Sequence, residues 1–277
     1  MDNQEQIKTI IRNALSEDIG DGDLTTLATV PAGRIFGGRF IAKAHGIIAG
    51  LDVVKMVFAL VDESIEFTPF IQDGYLVHDD MLIGTAKGSG QALLQAERTA
   101  LNFLQRMSGI ASLTYAFVQS VKGTKAVILD TRKTAPNLRL FDKWAVRVGG
   151  GQNHRIGLHD MALIKENHIT AAGGISPAVN QVRNYDKHNR HIEVEVKNMT
   201  ELEEALTLNV DRIMLDNMTP DEMRQAVQLT NGRTPLEASG NVNLENVLDI
   251  AGCGVDFISI GKLTHSVKAL DISFCLD

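Results

Sequence analysis

The sequence predicts an α/β fold with two regions of different character, and two patterns carry that reading. Beyond residue 125, six short apolar runs rich in β-branched residues alternate with helical stretches, whereas the first hundred residues read as a smaller α+β region. The runs are AVILDTRK (126–133), DMALIKEN (160–167), HIEVEVKN (191–198), RIMLDN (212–217), PLEASGN (235–241) and DFISIGK (256–262). Such alternation implies parallel strands covered by helices on both faces. Helix starts lie between the runs. Thr219 with Pro220 and Glu222, and Thr200 with Glu203, have the cap-and-acid spacing that satisfies free N–H groups in a first helical turn. Upstream, GRIFGGRFIAKAHGIIAG, SIEFTPF and DGYLVHDDMLIGTAKGSG read as antiparallel strands, with helices near 4–17 and 51–61. A long helical pattern from Gln91 to about Val121 follows, with Leu101, Phe103 and Met107 as core positions and Gly109 as its expected break. The expected domains are therefore 1–108, with 267–277 as a further element that can pack with it, and 109–266.

Composition narrows the function. The net charge is −7, yet from Arg132 to His168 seven Lys or Arg face three acids, leaving 20 basic and 31 acidic residues elsewhere. A compact anionic ligand fits this local excess better than nucleic acid, which usually meets a basic domain. Cys253 and Cys275 have neither disulfide-framework nor zinc-ligand spacing, which suggests a reducing cytoplasm. No apolar run approaches the roughly 20 residues of a membrane span, so neither membrane nor nucleic acid is an expected partner.

In parallel barrels the strand C-termini and the loops after them face one mouth, where chemistry is placed. Each run ends in candidate groups: Arg132 and Lys133, Lys165, Glu195 and Lys197, Asp216, Ser239 and Asn241, then Gly261. Glu193, two residues before Glu195, should share its strand face, with a structural ion pair as the plainer reading. A strand-end lysine can also form a Schiff base, as in aldolases, but cations crowded around Lys133 and Lys165 suit the holding of anions better. Gly149, Gly150 and Gly151, directly before Asn153, His154 and Arg155, suggest a turn that lets a ligand approach closely.

The blocks EDIGDGDLTT, ERTALNFLQRMSGIA, DTRKTAPNLR, GGGQNHRIGLHDMALIKENHI, IEVEV, IMLDNM, LEASGNV and ISIGKLTHS, in that order from residue 17 nearly to the end, resemble the quinolinate phosphoribosyltransferase family. The resemblance implies an open α/β barrel with fewer than eight strands and an N-terminal α+β sandwich domain. It implies conversion of quinolinate and phosphoribosyl pyrophosphate to nicotinate mononucleotide, pyrophosphate and carbon dioxide, with Mg2+. It also implies a homodimer, with higher assembly left open. By the same resemblance Arg132, His154, Arg155 and Lys165 contact quinolinate, and Arg98 comes from the neighbouring subunit. Lys133, Glu195 and Asp216 are the catalytic set and also face the phosphoribosyl group. Ser239, Gly240, Asn241, Gly261 and His265 take the phosphate, and no fixed metal cage is expected. Lys262 and Ala238 depart from the family pattern, which puts fine geometry in doubt. Two rivals stay open: a related phosphoribosyltransferase for another aromatic acid, and a phosphate-binding barrel without turnover.

Overall fold

The computed structural model describes residues 3–277, which divide into two compact units. The first holds residues up to Tyr115 together with Thr134–Gly150 and Thr264–Asp277. It begins with α1 (Asn3–Ile19) and α2 (Leu24–Thr29), the latter capped by the Asp23 carboxylate accepting from Thr26 N. β1 (Ile35–Ala42), β2 (Gly46–Ile47), α3 (Leu51–Val61), β3 (Glu66–Pro69), β4 (Leu76–Val77) and β5 (Leu82–Ser89) follow. A four-stranded antiparallel sheet runs β12-β1-β5-β3, where β12 is the C-terminal strand Ile272–Leu276, and β2 pairs with β4. Alternate residues of β1 and β5 point inward, as a half-covered sheet requires. Phe40 of β1 lies edge-on to Phe58 of α3 and Phe67 of β3, with ring centroids 6.0 and 5.6 Å apart.

α4 (Gly90–Ser120) is one continuous helix of 31 residues. The break expected at Gly109 is absent. A side chain there would place a Cβ 2.2 Å from the carbonyl oxygen of Lys268, so glycine serves close backbone packing, not flexibility. Leu101, Phe103 and Met107 are buried. α5 (Arg139–Val148) belongs to the same unit, where the buried Asp142 accepts two bonds of 2.9 Å from the Arg106 guanidinium.

The second unit holds Ala116–Lys133 and Gly151–Leu263. All six runs form strands: β6 (Val127–Leu129), β7 (Ala162–Ile164), β8 (Ile192–Val196), β9 (Arg212–Asp216), β10 (Leu236–Ser239) and β11 (Phe257–Ser259). They make one parallel sheet in the order β6-β11-β10-β9-β8-β7. β6 and β7 are its two edges and do not pair with each other, so the barrel is open and has fewer than eight strands. α6 (Glu166–Ala172), α7 (Ile175–Tyr185), α8 (Met199–Thr207), α9 (Pro220–Thr230), α10 (Val247–Gly252) and the short α11 (Lys262–His265) fill the connections. The capping box at Thr219 and Glu222 is present. The other cap lies two residues earlier than expected: Asn198, not Thr200, accepts from Glu201 N, because Asn198 holds the extended backbone at the end of β8 that an N-cap needs.

The boundary read from the sequence lies at 108/109, whereas the compact units divide at 115/116 within α4. The two divisions differ because residues 134–150 make their contacts in the first unit although they are inserted between barrel strands. Among the described residues no helix is long and apolar enough to cross a membrane.

Candidate active site

Because the six strands are parallel and in register, their last residues lie along one edge of the sheet. Ser239 pairs with both Asp216 and Ser259, and Ser259 with Leu129. Arg132, Lys133, Lys165, Glu195, Asp216, Ser239, Gly240, Asn241 and Gly261 therefore gather at or just beyond that edge, all within the second unit. Arg98 and His265 belong to the first unit, where both are exposed.

The loop between α5 and β7 is built around buried Asp130, which directly follows β6. Its carboxylate accepts from Asn153 Nδ2 at 2.6 Å and from the His154 N–H at 2.9 Å. Arg155 is half-buried, and its Nη1 donates to the carbonyl of Met161 at 3.1 Å. Burial, and then the like charge of Arg132, pull the Arg155 pKa down. Two guanidinium groups thus stand close enough to repel, an arrangement that an anion between them would relieve. Asp160 accepts from the N–H groups of Ile156 and Gly157; burial opposes its ionisation, but these bonds keep its carboxyl below the usual range.

On the next strands Lys165 Nζ donates to Glu195 Oε2 at 2.6 Å. The Glu195 side chain is 10% exposed and that of Lys165 46%, so the carboxylate is set in the wall and the lysine reaches it from solvent. Lys197 pairs with Glu166, whose hydrogen bond raises the lysine pKa. Beyond β9 and β10 the chain turns tightly: Asn217 N donates to the carbonyl of Ser239 at 2.9 Å, and Asn241 Nδ2 to Asn217 Oδ1 at 3.1 Å. A Cβ on Gly240 (φ +101°) would sit 2.1 Å from Asn217 Oδ1, so only glycine fits this turn.

His154 takes a place different from the cations around it. It is buried, and its Nε2 lies 3.1 Å from Glu193 Oε2 and 3.5 Å from Glu237 Oε2. Both carboxyls are fully buried, and burial raises the pKa of each to about 7, partly offset for Glu193 by Arg212 and deepened for Glu237 by Glu193 itself. Arg212 Nη1 donates to Glu237 Oε2 at 2.8 Å and stacks over Phe257. The sequence reading puts Glu193 on the strand face of Glu195, with an ion pair as the plainer role, and passes over Asp130, Arg212 and Glu237. A signal existed, since Glu193 and Glu237 are carboxylates in mid-run, two residues before Glu195 and Ser239 and so on the same strand faces.

Comparison with known proteins agrees with this geometry. The profile of the quinolinate phosphoribosyl transferase C-terminal domain matches residues 110–275, and that of its N-terminal domain residues 23–108. The quinolinate phosphoribosyltransferase [decarboxylating] 1b of Nicotiana tabacum is 48% identical over 290 residues, covering 98% of this chain and 82% of the relative. The probable nicotinate-nucleotide pyrophosphorylase [carboxylating] of Bacillus subtilis (strain 168) is 42% identical, covering 98% of this chain and 93% of the relative. The crystal structure of NadC from Streptococcus pyogenes superposes with a TM-score of 0.95 at 42% identity, covering 98% of this chain and 96% of that one.

Proposed function

The chain belongs to the quinolinate phosphoribosyltransferase family, and from that premise we propose how its residues share the work. It is a pentosyltransferase that converts quinolinate and phosphoribosyl pyrophosphate to nicotinate mononucleotide, pyrophosphate and carbon dioxide. The observation that carries the assignment of roles is the convergence of cations near the strand edge, where Arg132 acts on Arg155 and both Arg155 and Lys165 act on Glu193. Quinolinate has two adjacent carboxylates, and planar guanidinium groups can meet each with two parallel bonds. In our reading Arg132, Arg155 and Lys165 hold the diacid, with Arg98 supplied by a second subunit.

Lys165 has a double duty. Without substrate it is tied to Glu195, and a bound carboxylate competes for it. Glu195 and Asp216 then face the ribose, where positive charge develops as the bond to pyrophosphate lengthens. The pyridine nitrogen takes the ribose carbon as pyrophosphate leaves with the bonding pair. The ring is now a pyridinium, so it accepts the electrons of the bond to its 2-carboxylate, which departs as carbon dioxide, and a proton takes its place. Lys133 offsets charge on the pyrophosphate, and the loops at Ser239, Gly240, Asn241 and Gly261 hold the 5'-phosphate.

Glu195, set in the wall, and the half-buried Asp216 offer oxygen donors without a closed cage, which fits a hydrated magnesium ion carried by pyrophosphate. When bound, the ion neutralises the leaving group. A reducing compartment, the cytoplasm, suits Cys253 and Cys275, both free thiols.

Incubation with both substrates and magnesium should yield nicotinate mononucleotide; none at any protein concentration refutes the activity. Arg132→Ala and Arg155→Ala should raise the quinolinate KM, and unchanged constants in both would displace the proposed pocket. The homodimer is tested by mixing inactive Arg98→Ala and Lys165→Ala chains. Regained activity is expected, and none despite confirmed subunit exchange means each site is built within one chain.

A further inference from the structure

The reaction as described leaves a buried layer of charge without a task. Glu193 on β8 and Glu237 on β10 lie in mid-strand on either side of β9, both fully buried, with Arg212 of β9 on Glu237. His154 closes the layer, with Nε2 at 3.1 Å from Glu193 Oε2 and 3.5 Å from Glu237 Oε2. Its other ring nitrogen, Nδ1, accepts the backbone N–H of Arg155 at 2.7 Å. A ring nitrogen that accepts an N–H bond carries no proton, and one set between two carboxylate oxygens is the site for it. This geometry leaves Nε2 as the place for the ring proton, close to both carboxyl groups though not aligned as a hydrogen bond with either. An imidazolium would set N–H against N–H at Arg155.

We propose that Glu193 and Glu237 are positioning residues that lock His154 in the Nε2–H tautomer, so that Nδ1 fixes the Arg155 backbone and aims its guanidinium at the substrate. The proposal rests on the reading of Arg155 as a quinolinate contact. It gives His154 a role different from the cation expected at the mouth: a neutral strut between a buried carboxylate pair and the residue that binds. The neighbouring bonds have the same effect, since Asp130 holds the His154 N–H and the Met161 carbonyl holds Arg155 Nη1. His154, Glu193 and Glu237 also have the donor atoms of a divalent metal site, all within 4.8 Å of one another. Arg212 already supplies positive charge to Glu237, and a metal ion there would face that guanidinium.

The test combines histidine-ring 15N NMR on the unliganded wild type with steady-state kinetics of Glu193→Gln and Glu237→Gln. The expected spectrum at pH 7 shows His154 protonated at Nε2 and bare at Nδ1. Both variants should raise the quinolinate KM about tenfold, the scale of loss when the outer partner of an oriented histidine is removed at a metal site. Their kcat and KM for phosphoribosyl pyrophosphate should stay near wild type, a split that general loosening of the fold would not give. An imidazolium signature at pH 7, a stoichiometric bound metal, or variants that keep the wild-type quinolinate KM overturn the proposal. Should Glu237→Gln not fold, Glu193→Gln carries the kinetic arm, and the wild-type spectrum needs no variant. A protein with the expected tautomer that makes no nicotinate mononucleotide refutes the substrate reading and leaves the tautomer standing.

Discussion

The antiparallel sheet of the first unit and the parallel barrel of the second are both tightly buried, but what they bury is opposite in kind. Around the sheet the interior is aromatic, with Phe40, Phe58, Phe67 and Phe274 in mutual contact, and its ion pairs, Lys43 with Asp80 and Arg39 with Asp277, are exposed. Inside the barrel Asp130, His154, Glu193, Glu195 and Glu237 are all buried. Taking charge out of water costs several kcal/mol per ion unless partners compensate, whereas apolar residues of like volume carry no such cost. The sheet itself carries no such groups, and in its unit the buried Asp142 and Lys143 lie on α5, with Asp142 paired to Arg106. The barrel accepts the cost where ligands must be held in one orientation.

The contrast makes the two interiors respond differently to mutation, and the largest effect should come from the sheet. Phe40→Ala removes a fully buried ring and should cost about 3–5 kcal/mol in urea unfolding, with the kinetics of the molecules that remain folded unchanged. A variant of near wild-type stability with altered quinolinate KM would break the comparison.

The next effect belongs to the barrel and depends on pH. Glu193 and Glu237 titrate at about 7 when folded, against an ordinary 4.5, with His154 and Arg212 facing them. The folded state therefore holds the extra proton more tightly. Stability from this source is fully present below about pH 4.5 and is lost as pH rises through about 7. One carboxyl shifted this far corresponds to about 3 kcal/mol. Glu237→Gln stays neutral at every pH, so its Tm relative to wild type should climb between pH 5 and pH 8. A constant difference across that range would mean that the carboxyl does not take up its proton on folding.

These two interiors were not equally legible in the sequence. The six barrel strands stood out because each is a short β-branched run ending in polar residues, and a parallel sheet brings such ends to one edge whatever the loops do. That placed Arg132, Lys133, Lys165, Glu195, Asp216, Ser239 and Asn241 at one mouth before any coordinate, whereas Arg155, which ends no run, came only from the resemblance. The layer beneath was hidden, because Glu237 and Arg212 become partners only when β9 and β10 lie in register, and nothing local marks that register. The tautomer of His154 was hidden for the same reason, being set by groups 39 and 83 residues away in the chain. Caps shifted by two residues where Asn198 and Thr200 are both competent and only backbone geometry chooses between them.

Gly109 offers the smallest effect and the sharpest reversal between sequence and structure. Read locally, a glycine at the twentieth residue of a helix weakens it, and alanine should restore about 1 kcal/mol of helix propensity. In the folded chain the missing side chain is what allows Lys268 and Ala269 to approach, since a Cβ would stand 2.2 Å from one carbonyl oxygen and 3.0 Å from the next Cα. Both obstacles are backbone atoms, which cannot turn aside as a flexible side chain could. Gly109→Ala should therefore destabilise the protein by about 1–3 kcal/mol, the usual cost of overpacking, in spite of its better helix propensity. Thermal unfolding decides the sign. A higher Tm would mean that the segment ahead of β12 yields easily and that Gly109 is the weak point in α4 that the sequence suggested.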